Sequence, residues 1–119
     1  MKLKRDLYKD EQKIIIDKLI NILQLDSNNS LILYDLDNNY DKQEKIYELI
    51  PEIKQYFKVG SVKSLTYPEQ MKRVYLSVIK LVIKNEYNMF TKDFRIVKNE
   101  DIIRTKKIFL LKNNILKDI

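Results

Sequence analysis

The fold class expected of this 119-residue chain is α+β: three helices with a short strand and a C-terminal β-hairpin, in a winged helix-turn-helix-like order. Three observations predict it. Three stretches carry apolar residues at helical spacing, two of them beside recognisable cap residues. One glycine and two prolines punctuate the chain between them. Finally, KDFRIVKNEDIIRTKKIFLL, from Lys92 to Leu111, holds two segments rich in β-branched and aromatic residues around a polar centre. At 14.4 kDa the chain is long enough to bury one core, so residues 1–119 are expected to form a single domain.

In chain order, Asp10 is placed to cap a first helix whose apolar positions Ile15, Ile16, Leu19, Ile20 and Leu23 keep a 3.6-residue period. The run DSNNS ends it. Leu31 to Leu36, LILYDL, lies between turn-forming clusters and reads as a brief strand. Asp37 or Asn39 can cap the next helix, which carries Ile46, Leu49, Ile50, Ile53 and Phe57 on one face and must kink or restart at Pro51. Gly60 is expected as its left-handed C-terminal cap. Thr66-Tyr67-Pro68-Glu69 then fits a capping box for a third helix running to about Glu86. The hairpin tip is expected at Lys98 to Asp101. Helix, strand, helix, helix, strand, strand is the winged-helix order, in which the third helix enters the major groove and the hairpin is the wing. The segment between Lys58 and Thr66 is longer than the usual turn of that motif, and the second helix is long.

Composition narrows the chemistry. With no Cys and no His, thiol nucleophiles, Cys-based zinc sites and the usual general base are excluded, leaving carboxylates, Lys, Tyr and hydroxyls. No cofactor is expected. The chain holds 19 Lys, 17 Ile and 10 Asn but no Ala, a bias whose simplest cause is a very AT-rich genome. The net charge of +6 is unevenly spread: Met1 to Ile53 carry −3 and Lys54 to Lys112 carry +9. Codon bias would distribute Lys evenly, so this polarity marks the C-terminal half as a surface for a polyanion. The opening MKLKRD is followed by further charges, unlike a signal peptide. The most apolar run, IIIDKLINILQL, is interrupted by Asp17 and Lys18 and falls short of the roughly 20 residues a membrane span needs. No membrane contact is expected, and an intracellular location, cytoplasmic or nuclear, is.

The candidate nucleic-acid-binding residues fall in two groups. In the third helix, Arg73, Ser77, Lys80 and Lys84 lie within an arc of about 60°, with Lys72 beside them. The sharp reading is a seam of base and phosphate contacts along a groove. The bland one is the solvated stripe that any core helix keeps. In the hairpin, Arg95, Lys98, Arg104, Lys106 and Lys107, with Lys92 and Lys112, outnumber Asp93, Glu100 and Asp101, and Arg104 and Lys106 share a strand face. Here the structural alternative is protection of an exposed sheet edge by lysine. Two adjacent basic elements in an otherwise acidic chain predict a non-enzymatic module for duplex DNA or structured RNA. Tyr67, Tyr75 and Tyr87 could stack on bases but fit a core equally well. The rival is a protein-interaction adaptor or self-associating viral accessory protein, whose acidic and basic halves meet a complementary partner or form a homo-oligomer.

Two carboxylate patterns bear on possible chemistry. Asp35 and Asp37 in YDLDNN would share a strand face, with Asp41 nearby, and such a pair can hold Mg²⁺ for phosphoryl transfer. Helix capping and solvation account for them more simply, and no metal is expected. Glu52-Ile53-Lys54 has the spacing of a nuclease motif that requires a central strand, whereas here it follows Pro51 in a helical stretch.

LYDLDNN from Leu33, PEIKQYF from Pro51, KRVYLSVIK from Lys72 and IRTKKI from Ile103 together resemble a small domain of uncharacterised proteins in giant DNA viruses of protists. The likeness covers roughly Leu31 to Lys112. It implies a viral source and carries over no catalytic or binding residue.

Overall fold

The computed structural model describes residues 4–57, 74–84 and 86–113. Among them the chain is α+β, with five helical segments and one three-stranded antiparallel sheet: α1 Lys4–Leu23, β1 Ser30–Ile32, α2 Leu33–Asp37, α3 Tyr40–Glu48, α4 Ile50–Tyr56, α5 Val74–Ile83, β2 Tyr87–Lys98 and β3 Asp101–Lys112. No described helix is long and apolar enough to cross a membrane.

The helical layer follows from where the apolar residues fall. α1 turns Ile15, Ile16, Leu19 and Leu23 into the core while Ile14 stays outside. It begins at Lys4, so Asp10 is an interior residue and not the expected cap. Gln24, at φ 52°, takes the left-handed turn that ends the helix, and Lys42 Nζ reaches the freed Leu23 carbonyl at 3.1 Å. The expected strand at LILYDL is only half a strand. Pairing stops at Ile32, and Leu33–Asp37 coil into α2, which buries both Leu33 and Leu36 as a strand of alternating faces would not.

Asn39, rather than Asp37, caps α3: its side chain accepts from Lys42 N at 3.0 Å. Gln43 Nε2 donates back to the carbonyls of Leu36 and Asp37 at 2.7 and 3.0 Å, tying α3 to the end of α2. The single helix expected to Phe57 is two, because Pro51 restarts rather than bends it. Leu49 closes α3 and opens α4, placing the proline in the first turn, where its missing N–H costs nothing. Gly60 and the Thr66 to Glu69 capping box lie outside the described residues.

α5 is the most deeply set helix, with Val74, Tyr75, Val78, Ile79, Val82 and Ile83 all buried. It packs against α1, α3 and β2. The buried Tyr75 donates its hydroxyl to Asp37, joining α5 to the end of α2.

The sheet order is β1-β3-β2, so the central strand is the last in sequence. β3 pairs with β2 along its whole length, from Tyr87↔Lys112 to Lys98↔Asp101, and with β1 through Ser30↔Phe109, Leu31↔Ile108 and Ile32↔Lys107. The expected tip is confirmed: Asn99 and Glu100, at φ 53° and 70°, form the two-residue turn. β2 starts five residues earlier than the expected hairpin.

Asp26 organises the turn into β1. Its carboxylate accepts from Asn28 N at 2.9 Å, Ser30 N at 3.0 Å and the buried Ser30 Oγ at 2.7 Å. The Ser30 hydroxyl, opposed by partial desolvation and aided by the two backbone N–H groups and the Lys107 charge, holds Asp26 below the ordinary 3.8. A group whose folded value is depressed stabilises above its unfolded value and stops doing so as pH falls through the folded one. Asp26→Ala is therefore expected to melt earlier than the parent at about pH 7, with the gap closing below 3.8 and gone near pH 2. Thermal unfolding followed by circular dichroism at stepped pH measures the gap.

Candidate nucleic-acid interface

The antiparallel register sorts the ribbon residues into two faces, since directly opposed residues point the same way. One face begins as core, with Ile108 and Leu110 buried and Tyr87 and Met89 packed against them. Farther out the same face carries three rungs, Asp93↔Lys106, Arg95↔Arg104 and Val97↔Ile102, all six residues exposed. No residue from Lys92 to Lys106 is buried, so the outer half of the hairpin is a ribbon beyond the core. Val97 and Ile102 are 74% and 62% exposed, an open apolar pair beside two arginines.

On this face Lys106 Nζ donates to Asp93 Oδ1 at 2.6 Å. That bond first, and the lysine's charge second, lower the Asp93 carboxyl below its ordinary value. Arg95 and Arg104 oppose one another directly.

The opposite face alternates rings and lysines. Phe90↔Phe109 and Lys92↔Lys107 are rungs of the β2–β3 ladder, with Phe94 next along β2. Lys107 Nζ stands 5.7 Å from the ring centres of both Phe94 and Phe109, and Lys92 Nζ the same distance from Phe109. Lys98 Nζ lies 5.7 Å from the Tyr34 ring. The stems are thus held across apolar surface with their ammonium groups outward. Lys107 Nζ also approaches Asp26 Oδ2 at 3.8 Å.

The sequence-derived set is therefore divided. Lys98 and Lys107 share the ring-bearing face, Arg95, Arg104 and Lys106 the other, and both faces belong to one ribbon. Ser77, Lys80 and Lys84 form the exposed stripe of α5, as the helical period requires, on a helix otherwise sunk in the core. Lys72 and Arg73 lie outside the described residues.

Sequence reasoning missed the rings of Phe90, Phe94 and Phe109. Alternation within the strands puts all three on one side, and the pairing register was the missing signal. The tyrosines singled out instead do structural work where they are described: Tyr75 is buried, and Tyr87 is packed on the core.

The carboxylate pair does not form a site. Asp35 and Asp37 sit two apart on a helix, pointing different ways, and Asp37 receives the Tyr75 hydroxyl. Among the described residues no cluster of three or more His, Cys, Asp or Glu side chains could hold a metal ion. Comparison with protein-family models, with curated proteins and with solved structures finds no match to this chain.

Proposed function

We propose that this domain binds nucleic acid, with the β2–β3 ribbon as its principal contact and the α5 stripe as a second set of phosphate ligands. The observation that carries the reading is the pair of like-charged rungs, Lys92↔Lys107 and Arg95↔Arg104. Like charges placed directly opposite destabilise a sheet, so a hairpin selected for stability alone would put an acid across from each base. A polyanion reverses the sign of that term, because each cation then faces a phosphate.

The winged-helix-like reading is supported by element order and by β1 pairing with the last strand. α5 would be its recognition helix. The depth at which α5 is set argues for a smaller part: three exposed side chains on one narrow stripe can line a backbone but leave no helix face to enter a groove. The wing takes the larger share. A non-enzymatic role follows from the same residues, which are cations and apolar groups with no base or nucleophile among them.

Binding driven by phosphate neutralisation falls linearly in log salt, by about 0.9 per contact on B-form DNA. Fluorescence anisotropy of a labelled duplex of about 20 base pairs, titrated at several salt concentrations, should give a slope of roughly −4 to −6. Lys80→Glu with Lys84→Glu should lower the affinity and make the slope shallower by about two contacts. Absence of binding at low salt, or binding indifferent to salt, would overturn the reading.

A second reading rests on a separate observation. β2 has β3 on one side and no strand on the other among the described residues, leaving twelve residues of edge beside the exposed Val97 and Ile102. Such an edge can pair with a partner's strand or with a second copy of the chain. Sedimentation equilibrium that reports mass rising with concentration, in the absence of nucleic acid, favours this view.

A further inference from the structure

We propose that the exposed face of the outer ribbon, Arg95, Arg104, Val97 and Ile102 above the Asp93–Lys106 pair, enters the major groove of duplex DNA and reads base edges. This rests on the nucleic-acid reading above and adds sequence selectivity to it.

Three features of the face fit that task. The first is size. Three rungs spaced about 6.8 Å apart cover some 14 Å, the rise of about four base pairs, and a two-stranded ribbon fits a groove about 12 Å wide. The second is freedom from the fold: all six side chains are exposed, and no buried residue lies between Lys92 and Lys106. The third is chemistry. An arginine fork donates to the O6 and N7 of guanine, and a branched aliphatic side chain packs on the thymine methyl. Arg95 and Arg104 supply the forks, while Val97 and Ile102 supply two methyl-bearing surfaces one rung nearer the tip.

The acids do not obstruct this. Asp93 is held by Lys106, Asp101 belongs to the opposite strand face, and Glu100 lies in the turn. The ring-bearing face then looks away from the bases, and its lysines are long enough to reach the phosphates bordering the groove.

The test is a charge-preserving exchange. Lysine keeps the charge of arginine and its attraction to phosphate but lacks the planar fork. The full chain and its Arg95→Lys, Arg104→Lys variant would each be used to select from a duplex DNA library carrying about ten randomised base pairs. The parent should enrich a short motif containing guanine, bound about 10- to 100-fold more tightly than bulk duplex, and the variant should lose most of that preference. Affinity for an unselected duplex, and its salt slope, should stay within about twofold, which also shows that the variant is folded. A second variant, Val97→Ser with Ile102→Ser, should reduce selectivity at thymine positions. Salt-dependent binding without an enriched motif, or the same motif from the lysine variant, would overturn the inference and leave the phosphate reading standing. Failure of the parent to bind any duplex would remove both.

Discussion

Leu110→Ala should lower stability by about 3–4 kcal/mol, whereas Ile102→Ala, eight residues away on the same strand face, should change it by less than about 0.5 kcal/mol. The leucine and isoleucine side chains are chemically similar, and strand, parity and backbone pairing are shared. They differ in what surrounds them: Leu110 is fully buried, in the central strand, opposite Met89, while Ile102 is 62% exposed near the tip. Truncating Leu110 removes its apolar contacts and leaves a cavity in the core. Its N–H donates to the Asn29 carbonyl at 2.9 Å, fixing the backbone so that the gap cannot easily close. For a domain of this length the loss corresponds to a melting temperature lower by on the order of 10–15 °C. Thermal unfolding of both variants tests the division of the ribbon into an inner half that belongs to the core and an outer half that does not. Equal losses would mean that the outer half is packed after all.

That division is only partly legible in the sequence. The apolar period of α1 and α5, the hairpin and its tip follow from residue spacing and turn chemistry alone, because those signals are local. The core positions Ile15, Ile16, Leu19, Leu23, Ile46 and Ile53 likewise obey their period. What fails depends on partners elsewhere in the chain. LILYDL has a strand's composition, but β1 can extend only as far as β3 accepts it, and past Ile32 the buried pair Leu33 and Leu36 favours a helical turn. Pro51 marks a break in any reading of the sequence. Whether it bends or restarts a helix is decided by the residues before it, and Leu49 could serve both ends.

The candidate site divides in the same way. Helical geometry is enough to line up Ser77, Lys80 and Lys84. It cannot show that α5 is sunk to that stripe, since depth is a property of the whole packing. For the hairpin, residue types are visible while the register is not. Without the register, the opposition of Arg95 to Arg104 and of Lys92 to Lys107 has no expression in the linear order.

Those oppositions make a prediction in which stability and binding part company. Lys92→Glu together with Arg95→Glu should leave the melting temperature unchanged or raise it by a few degrees, since each new carboxylate faces a cation, Lys107 or Arg104, across the strands. Cross-strand pairs of opposite charge contribute roughly 0.2–1 kcal/mol each. Against this, the ammonium of Lys92 leaves the Phe109 ring, and the carboxylate that replaces the Arg95 guanidinium stands on the same strand face as Asp93, so the net gain is small. Binding should move the other way. Two cations become two anions on the surface that meets the phosphates, and affinity for a duplex at about 50 mM salt should fall on the order of 100-fold, with the salt slope shallower by about 1.8. Measuring melting and duplex affinity on the same preparation separates the two accounts of these rungs. If the double variant melts markedly lower while binding is preserved, the four cations are part of the hairpin's architecture, and the protein's contact with nucleic acid must be sought elsewhere on its surface.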